Sequence, residues 1–139
     1  MTKDAIRRRN RGVRPTDARR LLRKQTDVAE GTSYGMPAFL VNGRFLARFR
    51  DGDTVMVLQL ATISDRDVLV QMDPRAFFLT DHYRNYPAVL IRLAEVPRPL
   101  FANVVTEAWR HVSSLPPPRR WKKTARRRLE TRSHEPRGK

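Results

Sequence analysis

The run Asp81-His82-Tyr83 sets a carboxylate, an imidazole and a phenol in succession, three groups that commonly move protons in enzymes. If their loop faced Ser33 and Tyr34, the five residues Ser33, Tyr34, Asp81, His82 and Tyr83 would form a pocket for a small ligand or for general acid–base work. The competing reading is structural: these polar groups cap a sheet and tie two loops together by hydrogen bonds. Adjacent residues point apart, so Asp81 beside His82 is not a dyad by spacing alone. The remaining patterns do not favour catalysis. His82, His111 and His134 are 29 and 23 residues apart, and the chain has no cysteine, so no metal-ligand spacing is present. G-x-G-x-x-G, Walker and G-x-S-x-G signatures are also missing. The expectation is a non-enzymatic protein with no cofactor and no metal.

Positive charge is the second candidate chemistry. The 139 residues carry 29 Lys/Arg against 14 Asp/Glu, a net charge of +15. Residues 1–24 hold +8 and residues 116–139 another +8, whereas residues 25–115 sum to −1. Two polycationic ends therefore flank a nearly neutral middle. The clusters are Arg7, Arg8 and Arg9 at one end and Arg119, Arg120, Lys122, Lys123, Arg126, Arg127 and Arg128 at the other. Such runs attract polyanions by releasing condensed counterions, whatever the base sequence. Trp121, between Arg120 and Lys122, is placed to stack on an unpaired base. The alternative is that the ends only keep the protein soluble. Neither end offers the apolar face that membrane binding requires, so no membrane partner is expected. RNA stays open beside DNA, because phosphate attraction does not separate them, and so does an acidic partner for a protein-interaction module. A cytoplasmic monomer is the default expectation.

Within the middle, Phe45, Ala47 and Phe49 alternate with Arg44, Leu46, Arg48 and Arg50. Period two sends the phenylalanines to the core and leaves Arg44, Arg48 and Arg50 on an open sheet face or its edge. There they would meet phosphates, or else pair with Asp51, Asp53 or Glu95 as a solvated face.

These groups need elements to position them. Residues 1–15 are poor in apolar side chains and read as a disordered basic tail. Thr16 suits an N-cap, and a thin apolar stripe of Ala18, Leu21 and Leu22, with Val28 at its end, predicts a helix over about 17–28, ended by the glycine-rich loop 30–35. Residues 37–41 and 44–50 read as strands joined by Asn42-Gly43, a pair suited to a type I′ hairpin. A third strand covers 54–60. Ser64 and Asp67 read as a capping box opening a helix that Asp73-Pro74 stops. Strands follow at 76–79 and 88–94. Pro97 and Pro99 open a last helix whose apolar face runs from Leu100 to Leu115, and Pro116-Pro117-Pro118 closes it. The order α-β-β-β-α-β-β-α predicts an α+β domain over 16–115, with a mostly antiparallel five-stranded sheet and helices on one face. Residues 116–139 form a basic, Pro/Arg-rich tail.

Two stretches resemble a known family. Residues 30–35 leading into Pro37-Ala38-Phe39 and Asn42-Gly43 are one, and Phe77 through Val89 are the other. With the helix bearing Ala108-Trp109, they resemble the MmcQ/YjbR-like family over roughly residues 17–115. The resemblance implies a compact double-wing, CyaY-like α/β sandwich and a DNA-binding role. It implies no individual site residue, and the basic tails are not part of the family's pattern.

Overall fold

A computed structural model of the chain describes residues 10–118. Backbone handedness sets the sheet. Asn42 and Gly43 have φ of 50° and 84°, as a type I′ turn requires, and join strands β2 (Met36–Val41) and β3 (Arg44–Arg50). Tyr34 and Gly35, with φ of 53° and 77°, make a second such turn between β1 (Val28–Ser33) and β2. The predicted glycine-rich loop is therefore mostly a strand. Helix α1 (Pro15–Lys24) stops before it, short of the predicted residue 28. The sheet accordingly has six strands in place of five. Gly31 did not break the strand because it lies in register opposite Ala38, on an edge.

The remaining elements are β4 (Val55–Gln59), α2 (Ile63–Met72), β5 (Phe77–Phe78), a 3-10 turn (Asp81–Tyr83), β6 (Ala88–Arg92) and α3 (Arg98–Ser114). The fold class is α+β, and the strand order β1-β2-β3-β4-β6-β5 is antiparallel throughout. Thr62, not Ser64, caps α2: its side chain accepts from the Asp65 N–H at 3.0 Å. Pro97 and the proline behind it open α3 as predicted.

Ala18 and Leu22 of α1 and Phe101, Val104, Val105, Ala108 and Val112 of α3 pack on one sheet face, against Phe39, Val41, Met56, Leu58 and Ile91. Leu69 and Val70 of α2 and Trp109 of α3 lie at the margin of the same core. The opposite face has a smaller core of Val55, Val57, Ala88 and Leu90, with Phe45, Phe78 and Tyr83 packed on it. Burial on both faces explains the unbroken apolar runs of β4 and β6.

The alternation predicted for β3 fails at one point. The β2–β3 register slips, pairing Phe39 with Ala47 but Leu40 with Phe45. A bulge of this kind spends an extra residue on one strand and reverses the side-chain phase beyond it. Leu46 and Ala47 are both fully buried in the helix-side core, whereas Phe45 joins the small core on the other face.

Residues 11–15, expected in the disordered tail, are tied to the domain. The Gly12 N–H donates to the Val96 carbonyl at 2.8 Å and the Val13 N–H to that of Leu93 at 2.7 Å. Gly12 has φ of 101°, and a Cβ there would stand 3.3 Å from the Ala94 oxygen, so glycine is required. Arg11 Nη1 donates to the Glu95 carbonyl at 2.6 Å and to Asp73 Oδ2 at 3.2 Å. Arg11 and Asp73 are only 17% and 12% exposed, so removing the cation strands a largely buried carboxylate. Arg11→Met is expected to cost about 1–2 kcal/mol, read as a lower urea midpoint with an unchanged m-value.

Tyr34 carries the opposite expectation. It holds a left-handed φ of 53° with its ring fully exposed, so no packing offsets the strain. Tyr34→Asn should stabilise the fold by about 0.5–1 kcal/mol, seen as a thermal midpoint a few degrees higher by calorimetry.

Candidate functional site

The segment between β5 and β6 folds back over the sheet face that the helices leave open. Tyr83 lies on the small core, and its hydroxyl accepts from Arg48 Nη2 at 2.9 Å. Arg48 reaches it across two strands, since Arg48 is in register with Val57, Val57 with Leu90, and Leu90 with Phe78. The His82 ring stands edge-on to Tyr83 at 4.7 Å between centroids and 89° between planes. It is also 6.4 Å from the Tyr86 ring, at 34°. His82 is exposed and Tyr86 is 56% exposed. Asp81 faces solvent and accepts from Arg84 Nη2 at 2.6 Å.

One buried cation holds the backbone of the segment. Arg66 of α2 is 6% exposed, the only buried charged residue among those described. Its Nη1 donates to the carbonyls of Tyr83, Arg84 and Tyr86 at 3.2, 2.9 and 3.0 Å. Its Nε and Nη2 both donate to Asp67 Oδ1, at 2.9 and 2.8 Å. The planar guanidinium fork thus satisfies three carbonyls of an irregular segment and a carboxylate at once. A signal for Arg66 exists in the sequence. It lies three residues from both Ile63 and Leu69 and four from Val70, the apolar side of α2.

The five residues of the candidate pocket are not brought together. Asp81, His82 and Tyr83 lie between β5 and β6, beside one edge of the sheet, whereas Ser33 and Tyr34 belong to the β1–β2 hairpin at the other. Within the first group, Asp81 turns to Arg84 and His82 to Tyr83, so no Asp–His contact forms. Among the described residues, no group of three His, Asp or Glu is placed to hold a metal.

The three arginines of β3 part company. The bulge returns Arg44 to the helix side, where Nε donates to the Pro116 carbonyl at 2.6 Å. Arg48 and Arg50 stay on the other face. Arg48 is committed to Tyr83, and Arg50 lies 3.4 Å from Asp51, one of the carboxylates expected to pair with this face. Arg92 joins that face, its guanidinium 4.0 Å from the centre of the Phe78 ring and donating to the carbonyls of Pro74 and Arg75. Arg7, Arg8, Arg9, Arg119, Arg120, Trp121, Lys122, Lys123, Arg126, Arg127 and Arg128 lie outside the described residues. No described helix is long and apolar enough to cross a membrane.

The fold is that of a small α+β domain already seen in a solved structure. The Deinococcus radiodurans protein DR2400, a DUF419 domain, superposes with a TM-score of 0.60 over 83% of this chain and 86% of its own, at 18% identity. No family model matches the chain. Fifty residues are 42% identical to uncharacterised proteins of Mycobacterium tuberculosis and Mycobacterium bovis, covering 34% of this chain. The match spans only 39% of the length of those relatives.

Proposed function

We propose that this protein is a non-enzymatic nucleic-acid-binding protein, with DNA favoured, in which the basic ends supply most of the affinity. The observation that carries the reading is where charge is left uncompensated. Residues 10–118 hold fifteen Lys/Arg and eleven Asp/Glu, a net charge of +4, leaving +11 for residues 1–9 and 119–139. Among the described residues, nine of the eleven acids pair with an arginine: Asp17, Glu30, Asp51, Asp53, Asp67, Asp73, Asp81, Glu95 and Glu107. The domain has therefore largely neutralised itself, and phosphate contacts fall to the ends. The resemblance to the MmcQ/YjbR-like family supports DNA over RNA. The MmcQ/YjbR assignment is part of this proposal.

The test is fluorescence anisotropy of labelled duplex and single-stranded oligonucleotides at several salt concentrations. The comparison is between the full chain and one with Arg7, Arg8, Arg9, Arg126, Arg127 and Arg128 changed to glutamine. Affinity and salt slope should fall together in the variant. A wild-type chain that binds no nucleic acid at low salt would end the reading.

A further inference from the structure

Resting on the nucleic-acid reading, we propose that the exposed rings of Tyr86 and His82 form a stacking site for an unpaired nucleobase. Large flat side chains normally bury their faces, and this segment has a small core directly beneath it. Tyr83 takes that place, while Tyr86, three residues later, stays 56% exposed. Its hydroxyl has no hydrogen-bond partner among the described residues. The backbone that carries the ring is nonetheless held firmly. The Tyr86 N–H donates to the Tyr83 carbonyl at 3.0 Å, and its carbonyl accepts from both the Ala88 N–H and Arg66. His82 is braced edge-on by Tyr83, itself tied to Arg48. Two solvent-facing rings thus stand 6.4 Å apart on a pinned backbone, so little backbone ordering remains to be lost on binding.

The chemistry selects an unpaired base. Stacking on aromatic rings tolerates any base, because each has a flat face, but a base inside a duplex has both faces occupied. The local charges do not make this a phosphate site. Arg84 is neutralised by Asp81, Arg48 is bonded to Tyr83, and Arg66 is buried. The basic ends would hold the backbone and the two rings would hold a base, which separates affinity for strands from preference between them.

The experiment uses the full chain with oligothymidylate and, separately, a duplex. H82A and Y86A are made singly and together, with Y86F as the variant that keeps the ring. Each ring removed should weaken single-strand binding about tenfold. Duplex affinity and the salt slope should stay as in wild type, because no phosphate contact is lost. Y86F should bind as wild type does. A 2-aminopurine-containing strand should lose part of its stacking quench with the double variant. Circular dichroism on each variant confirms the fold. Unchanged single-strand affinity in the double variant overturns the site while leaving the nucleic-acid reading intact, as does an equal fall for strand and duplex. A wild-type chain that binds neither overturns both.

Discussion

Arg66→Met is expected to lower the thermal unfolding midpoint by about 10–15 °C, a loss of about 3 kcal/mol. The methionine keeps most of the stem's apolar packing, so the loss reports the guanidinium. That group donates to three backbone carbonyls and a carboxylate while 6% exposed. Hydrogen bonds to a charged group are worth about 1.5–3 kcal/mol each, and acceptors stranded away from water add to the cost. Asp67 is about half-exposed, so rehydration recovers part of it. The total therefore stays near 3 kcal/mol, well below the sum of the separate bonds. Arg66→Lys should rescue little, since a point ammonium cannot span the carbonyls of Tyr83, Arg84 and Tyr86 and Asp67 together. Calorimetry on both variants checks this. A methionine variant melting within a few degrees of wild type would mean that the segment is held by its own turn.

Changing Arg7, Arg8, Arg9, Arg126, Arg127 and Arg128 to glutamine removes six of the 29 basic residues. If each meets one phosphate, the slope of log affinity against log salt flattens by about 5. Affinity near physiological salt should then fall by about 100-fold or more, equally for duplexes of unrelated sequence. Stability should be unchanged, because the domain's own ion pairs are intact. The salt series separates this from a stacking defect, which changes affinity without changing slope. A variant keeping the wild-type slope would place the phosphate contacts in the domain, with Arg50 and Arg92 the residues to change next.

Local chemistry made much of the fold readable. Asn42-Gly43 needs two left-handed residues and so named its own hairpin, and Pro97 and Pro116 bracketed α3. Tyr34-Gly35 carries the same backbone signature but hid it, because tyrosine seldom takes that conformation. The strand Val28–Ser33 therefore looks like a glycine-rich loop in the sequence, and the predicted sheet lacks one strand. The β3 bulge was hidden for a different reason. Alternation is visible in a sequence only while the register holds, and the slip between Phe39 and Leu40 depends on the partner strand. Leu46 and Phe45 exchanged faces as a result, and Arg44 left the face it was expected to share with Arg48 and Arg50.

The candidate site divides along the same line. The charge asymmetry and the lack of cysteine are legible because both come from counting residues along the chain and need no geometry. Proximity is not a sum. Whether Ser33 meets His82 depends on the order of strands, and β1 and β5 take opposite edges. The burial of Arg66, the bracing of His82 by Tyr83 and the reach of Arg48 to Tyr83 each join residues 1 to 35 positions apart. Element types, most of the turns and the total charge follow from local sterics and composition. The face each side chain takes and the loops that meet depend on pairing between strands distant in the chain.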